Sequence, residues 1–171
     1  TSNVTDMTFM FHATGHESPS FTLTLGNNFN TQNVEYMYGQ FYETGYSSTT
    51  FTLNLGSNFN TANCTTTAWM FSFTGYNSTS LTLNLGSKFN TSNVTDMSFM
   101  FYGCGSNSPA FTLSLGSNFY TSNVTDMSHM FAGDRRAATI ILPAERDVAN
   151  VASLSYMLSG LETLTDLTLV K

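Results

Sequence analysis

The sequence predicts an α/β solenoid, with one short strand and one short helix per repeat and the strands forming a parallel sheet along one face. Three observations lead there. Asn recurs at 3, 33, 63, 93 and 123, and Phe at 11, 41, 71, 101 and 131, with no insertion between Thr1 and Phe131. Each of these repeats, about thirty residues long, carries two apolar periods, one suited to a helix and one to a strand. A unit of that size with one of each cannot enclose a core, so its apolar side is buried only by stacking on its neighbours.

The elements can be taken in order through the unit that starts at Thr91. Val94, Met97, Met100 and Phe101 stand at i, i+3, i+6 and i+7, which is one stripe of a short helix. Asn93 then serves as N-cap, and Asp96 sits where a carboxylate favours a helix N-terminus. Gly103 or Gly105 ends the helix. Phe111-Thr112-Leu113-Ser114-Leu115-Gly116 alternates strictly and predicts a strand with Phe and Leu inward. The following turn drops Phe119 into the core, as do Phe29, Phe59 and Phe89 in the other units. Two units depart from the pattern. Gln40 replaces a Met, and Cys64, Thr66 and Thr67 stand where other units have Val, an acidic residue and Met, so less regular helices are expected there.

After Gly133 the spacing shortens to 27: Asn150 corresponds to Asn123, Gly160 to Gly133 and Leu169 to Leu142. Charge concentrates in the same place, in Asp134-Arg135-Arg136 and Glu145-Arg146-Asp147. Residues 1–133 are therefore read as the regular solenoid and 134–171 as a divergent terminal repeat or cap of the same solenoid. The unit starts in mid-repeat at Thr1, so the chain is read as a fragment of a larger protein.

The string Asn-Thr-Ser-Asn-Val-Thr-Asp-Met-Ser-Phe-Met-Phe at 90–101, with its neighbour at 120–131, resembles the signature of BspA-like leucine-rich-repeat proteins of bacterial surfaces. The resemblance implies a leucine-rich-repeat-like right-handed solenoid, displayed extracellularly on a bacterial cell surface. Such proteins are often associated with adhesion to host or bacterial partners. The signature describes a scaffold and carries no catalytic residue.

Composition excludes several functions. Charged residues make up 9% of the chain and the net charge is −6, so phosphate neutralisation, and with it nucleic-acid binding, is not expected. No apolar run is long enough to span a membrane. His12, His16 and His129 show no metal-ligand spacing, Asp6, Asp96 and Asp126 recur with the repeat, and the Met residues fall on its core positions. No enzyme activity, metal or cofactor is expected. Cys64 and Cys104 occupy different repeat positions, which argues against a disulfide.

Two surfaces remain as candidates. The outward strand positions form one row of Thr22, Thr52, Thr82 and Thr112 and a second of Thr24, Asn54, Asn84 and Ser114. They make an uncharged face of hydroxyls and amides able to hydrogen-bond a protein or glycan, although Thr also suits a merely solvated sheet. The other candidate is a loop row of His16, Tyr46 and Tyr76, with His12, Tyr42 and Tyr102 in register nearby. The expected role is non-catalytic adhesion to a host or bacterial surface protein or glycan, the fragment being monomeric. A structural stalk that displays another domain is the alternative. A remote one is ice binding, for which a single all-Thr row is meagre.

Overall fold

The computed structural model describes residues 1–109, 111–133, 139–142, 148–161 and 166–169. The alternating segments form strands as the sequence predicts: β1 (Ser20–Thr24), β2 (Thr50–Asn54), β3 (Ser80–Asn84), β4 (Thr112–Ser114), β5 (Thr139–Leu142) and β6 (Asp166–Leu169). All pairings are parallel, and they make two sheets, β1-β2-β3 and β4-β5-β6. The repeat sets the register. Thr22 faces Thr52 and Thr52 faces Thr82, while Thr112 faces Thr139 and Thr139 faces Asp166. A second ladder of single parallel bridges runs through Asp6, Tyr36, Thr66, Asp96, Asp126 and Ser153. The chain thus returns to the same two places once per repeat, which is compatible with a solenoid. The charged stretches at 134–136 and 145–147 lie outside the described residues. The described strands beyond them keep the 27-residue offset.

The expected helices are absent: among the described residues there is no α-helix. Their place is taken by a continuous run of turns whose N–H groups alternate between two kinds of acceptor. In the fourth unit Met97, Phe99, Phe101 and Gly103 donate to Asp126, Ser128, Met130 and Ala132 of the next unit, all at 2.9 Å. Met100, Tyr102 and Cys104 donate three residues back instead, at 3.0–3.2 Å. A helix would keep every such bond inside its own segment, and one this short is marginal in water. Stacking supplies a partner from the next unit for every second N–H, and left-handed residues make the alternation possible. Phe99 has φ 56°, and Phe9, Trp69, His129 and Tyr156 share that conformation at the same repeat position. No α-helix accommodates such residues at intervals.

The polar residues assigned to caps do other work. Asn93 is not an N-cap; its Nδ2 donates 2.7 Å to the Ala62 carbonyl of the preceding unit. Asn33, Asn63, Asn123 and Asn150 make the corresponding bond to Ser2, Gln32, Ser92 and Ser122. Asp6, Asp96 and Asp126 accept from the N–H two residues ahead, of Thr8, Ser98 and Ser128, and so close a turn rather than begin a helix. The Thr8 hydroxyl and N–H beside Asp6 hold its carboxyl below the usual carboxylate range. Buried Thr31 donates 2.8 Å to the Asn60 carbonyl and accepts 2.7 Å from the Asn60 N–H, and Thr61 and Thr91 repeat this pair. Side-chain hydroxyls and amides therefore bond the units together where the backbone ladders leave gaps.

Between the ladders lie columns of apolar side chains. Phe11, Phe41, Phe71, Phe101 and Phe131 stack with nearly parallel rings 5.2–5.8 Å apart, and Phe29, Phe59 and Phe89 lean against them. Phe51, Leu53 and Leu55 point inward from β2 and its end, as the alternation requires. Gln40 is the misfit in this core. It is fully buried, its Nε2 reaches only the Met7 sulfur at 3.5 Å, and its Oε1 has no hydrogen-bond partner. Restoring the residue of the equivalent positions, Gln40→Met, is expected to stabilise the fold by about 1–3 kcal/mol, the penalty of an unsatisfied buried carbonyl. A urea titration reads this as a raised midpoint, and a lowered one would refute the account.

Candidate functional site

The strand face has the geometry its alternation predicts. Thr22, Thr24, Thr82, Asn84, Thr112 and Ser114 are exposed, and Thr52 and Asn54 are half-buried. Thr22, Thr52 and Thr82 stand side by side on β1, β2 and β3, and Thr24, Asn54 and Asn84 form the next row. Neighbouring strands are about 4.8 Å apart and alternate residues about 7 Å, so the face is a near-rectangular grid of polar groups. Thr112 and Ser114 belong to the second sheet and are not in register with it. Part of the grid is already engaged. The side-chain Oδ1 atoms of Asn54 and Asn84 accept from the Gly56 and Gly86 N–H groups at 3.2 and 3.0 Å, closing the turn that follows each strand. Among the described residues the hydroxyls of Thr22, Thr52 and Thr82 close no such turn.

The loop row is a stack. His16 lies on Tyr46 at 4.9 Å with planes 4° apart, and Tyr46 lies on Tyr76 at 5.1 Å. All three rings are half-buried. Burial pushes the Tyr46 hydroxyl pKa up, and burial together with the neighbouring Glu43 does the same for Tyr42. His12 meets Tyr42 at 5.3 Å and approaches the Glu43 carboxylate at 3.7 Å. Rings stacked this closely cover each other's faces and leave edges and hydroxyls outward. That suits lateral contact with a partner and leaves no room for a sugar ring between them.

A second aromatic column escapes the sequence reading. Trp69 stacks on Phe99 at 4.2 Å, Phe99 on His129 at 4.4 Å and His129 on Tyr156 at 4.9 Å. Phe9, at the same repeat position in the first unit, leans over Gly39, where a Cβ would meet its ring at 2.3 Å. The signal was in the spacing. Positions 9, 39, 69, 99, 129 and 156 hold Phe, Gly, Trp, Phe, His and Tyr. Glycine interrupting a column of large rings marks a left-handed backbone, and such a backbone turns side chains out of a helical stripe.

Among the described residues no three His, Cys, Asp or Glu side chains gather as a metal site. Cys64 is buried, donates to the Val34 carbonyl at 3.3 Å, and has its thiol pushed up to about 12 by desolvation. Among the described residues no helix is long and apolar enough to cross a membrane.

Comparison with known proteins adds one finding. The family model described as "Mycoplasma protein of unknown function, DUF285" matches residues 1–112 and 105–168. No curated protein and no solved structure matches the chain.

Proposed function

We propose that this chain, which belongs to the DUF285 family, is a non-catalytic adhesion module of a bacterial cell surface. It would be built as a right-handed, leucine-rich-repeat-like solenoid of the BspA-like kind. The observation that carries this reading is the strand face: an uncharged grid of Thr and Asn, in register over β1, β2 and β3, with Thr hydroxyls that, among the described residues, close no turn. Repeat proteins use such extended faces to bind partners without chemistry, by summing many weak polar contacts. A hydroxyl and amide grid offers both donors and acceptors at fixed spacing, which fits a glycan or a protein surface. The stacked rings of Tyr46 and Tyr76 give a second, more apolar surface along the turns.

A stalk role has its own support. The Asn and Thr ladders direct their hydrogen bonds between units and not outward, as a spacer needs. The two readings separate in a screen of the purified chain against a glycan array and host surface proteins. Adhesion predicts a captured ligand whose affinity falls about tenfold or more, at least 1.4 kcal/mol, in the triple variant Thr22→Ala/Thr52→Ala/Thr82→Ala. If Tyr46→Ala/Tyr76→Ala weakens binding instead, the ring column is the adhesive surface. Absence of any ligand favours the stalk. A thermal-hysteresis measurement on the same sample decides the ice-binding alternative.

A further inference from the structure

The chain has eight tyrosines, and among the described residues Tyr46 and Tyr76 are the one pair of them whose rings are in contact. Their centroids lie 5.1 Å apart and their planes are 15° from parallel. The other tyrosines in ring contact are separated by rings of a different kind. Tyr42 and Tyr102 each meet Trp69 and Phe73, Tyr38 meets Phe9, and Tyr156 meets His129. The repeat explains why the pair stands alone. Both residues occupy the position held by His16 in the first unit and by Ser106 in the fourth, so the tyrosine column is two rings long.

The contact is fixed from the backbone outward. Gly75 donates to the Thr44 carbonyl at 2.9 Å and Asn77 to the Tyr46 carbonyl at 2.8 Å, so Tyr76 is held beside Tyr46 by hydrogen bonds on both of its sides. His16 covers the far face of Tyr46 at 4.9 Å, and Phe73 stands edge-on to Tyr76 at 5.3 Å. Both tyrosine rings are half-buried, with their hydroxyl edges outward. Each phenol therefore meets the other at an effective concentration that no free phenol in solution reaches.

We propose that Tyr46 and Tyr76 form an oxidative cross-linking site that joins the second and third units as dityrosine. The co-reactant is hydrogen peroxide turned over by a haem peroxidase. Each phenol gives up its hydroxyl hydrogen to the oxidant as one electron and one proton. The two phenoxyl radicals then pair their electrons in a bond between Cε carbons, ortho to the oxygens. The hydrogen on each newly bonded carbon moves to its own oxygen and restores the phenol. Two tyrosines and one hydrogen peroxide thus give one dityrosine and two waters. The bond closes a loop one repeat long and ties together units that otherwise separate on unfolding, as a cross-link between distant residues does. The site is independent of whatever the strand face binds.

The test treats the purified chain, diluted until it is monomeric, with a haem peroxidase and hydrogen peroxide. The expected product is a monomer lighter by two hydrogen atoms and carrying dityrosine fluorescence. Tandem mass spectrometry of a digest should place the link between Tyr46 and Tyr76. Tyr46→Phe and Tyr76→Phe keep the stacked rings and remove one phenol each, so either should lose the fluorescent monomer. Tyr42→Phe should retain it. Cross-linked dimers alone, a link through any other tyrosine, or an undiminished product from Tyr76→Phe would each overturn the proposal. So would an unreacted chain under conditions in which the peroxidase couples N-acetyltyrosine.

Discussion

Replacing Phe71 by alanine is expected to lower the unfolding free energy by about 3–5 kcal/mol, the range for a large aromatic lost from a core. Phe71 is fully buried, with Phe41 stacked on one face at 5.4 Å, Phe101 on the other at 5.2 Å, and Phe89 tilted against it at 6.2 Å. Truncation removes both stacking contacts and leaves a void that backbone bonded to both neighbouring units has little freedom to fill. The consequence is larger than one residue's burial, because a stacked array is held by interfaces between nearest neighbours. Loss of a central interface should uncouple the units before it from those after it. A urea melt followed by far-ultraviolet circular dichroism should therefore shift to a lower midpoint and broaden. Phe11→Ala is the control. Phe11 is half-exposed, stacks on Phe41 from one side only, and belongs to the first unit, so its loss should be clearly smaller and the transition should stay sharp. A Phe71→Ala loss below about 1 kcal/mol, outside the range for core aromatics, would refute the stacked core.

The strands were legible because a period of two has few other causes. Phe51, Leu53 and Leu55 point inward as the alternation demands. The helix was not legible, although the burial behind it was. Val94, Met97, Met100 and Phe101 are all fully buried, as a helical stripe would place them. Successive three-residue turns generate the same spacing, so the apolar pattern reports which residues are inside without fixing the backbone that puts them there. What separates the two is the handedness of single residues such as Phe99, and that depends on bonds to the next unit rather than on local propensity. Asn93 illustrates the same limit. A capping residue and an inter-unit donor both need a short amide at a fixed place, and only the position of the Ala62 carbonyl decides between them.

The low charge follows from this division of labour. A bonding position between units needs a group that both donates and accepts without repelling its copy in the next unit, which hydroxyls and amides satisfy and carboxylates do not. Asp96 and Asp126 stand next to each other in the bridge ladder and are the exception that shows the rule. Each bonds forward within its own turn and contributes nothing between units through its side chain. The candidate binding surface was legible for the same reason as the strands: outward Thr and Asn positions follow from inward Phe and Leu. The separation of β3 from β4 into two sheets was not, because Thr112, Leu113 and Ser114 alternate just as the residues of β2 and β3 do.

Gly86→Ala and Gly116→Ala should therefore behave very differently despite identical chemistry. Both glycines follow a strand in the same repeat position, with φ of 75° and 73°, so the left-handed penalty of about 1–2 kcal/mol falls on each. At Gly86 the new Cβ would also stand 2.3 Å from the Gly56 carbonyl oxygen, a backbone atom held by the sheet and unable to turn aside. The β2 and β3 ends must then move apart, which strains the Leu55 bond to Asn84 and the Gly86 N–H bond to the Asn84 side chain. A total loss of about 3–5 kcal/mol is expected for Gly86→Ala, in the range reserved for strained or clashing substitutions. At Gly116 the Cβ enters open space, so only the conformational penalty applies. Chemical denaturation of the two variants side by side isolates the close approach, since the backbone term cancels between them. Equal losses would mean that the fourth unit closes on the third in solution as tightly as the third closes on the second.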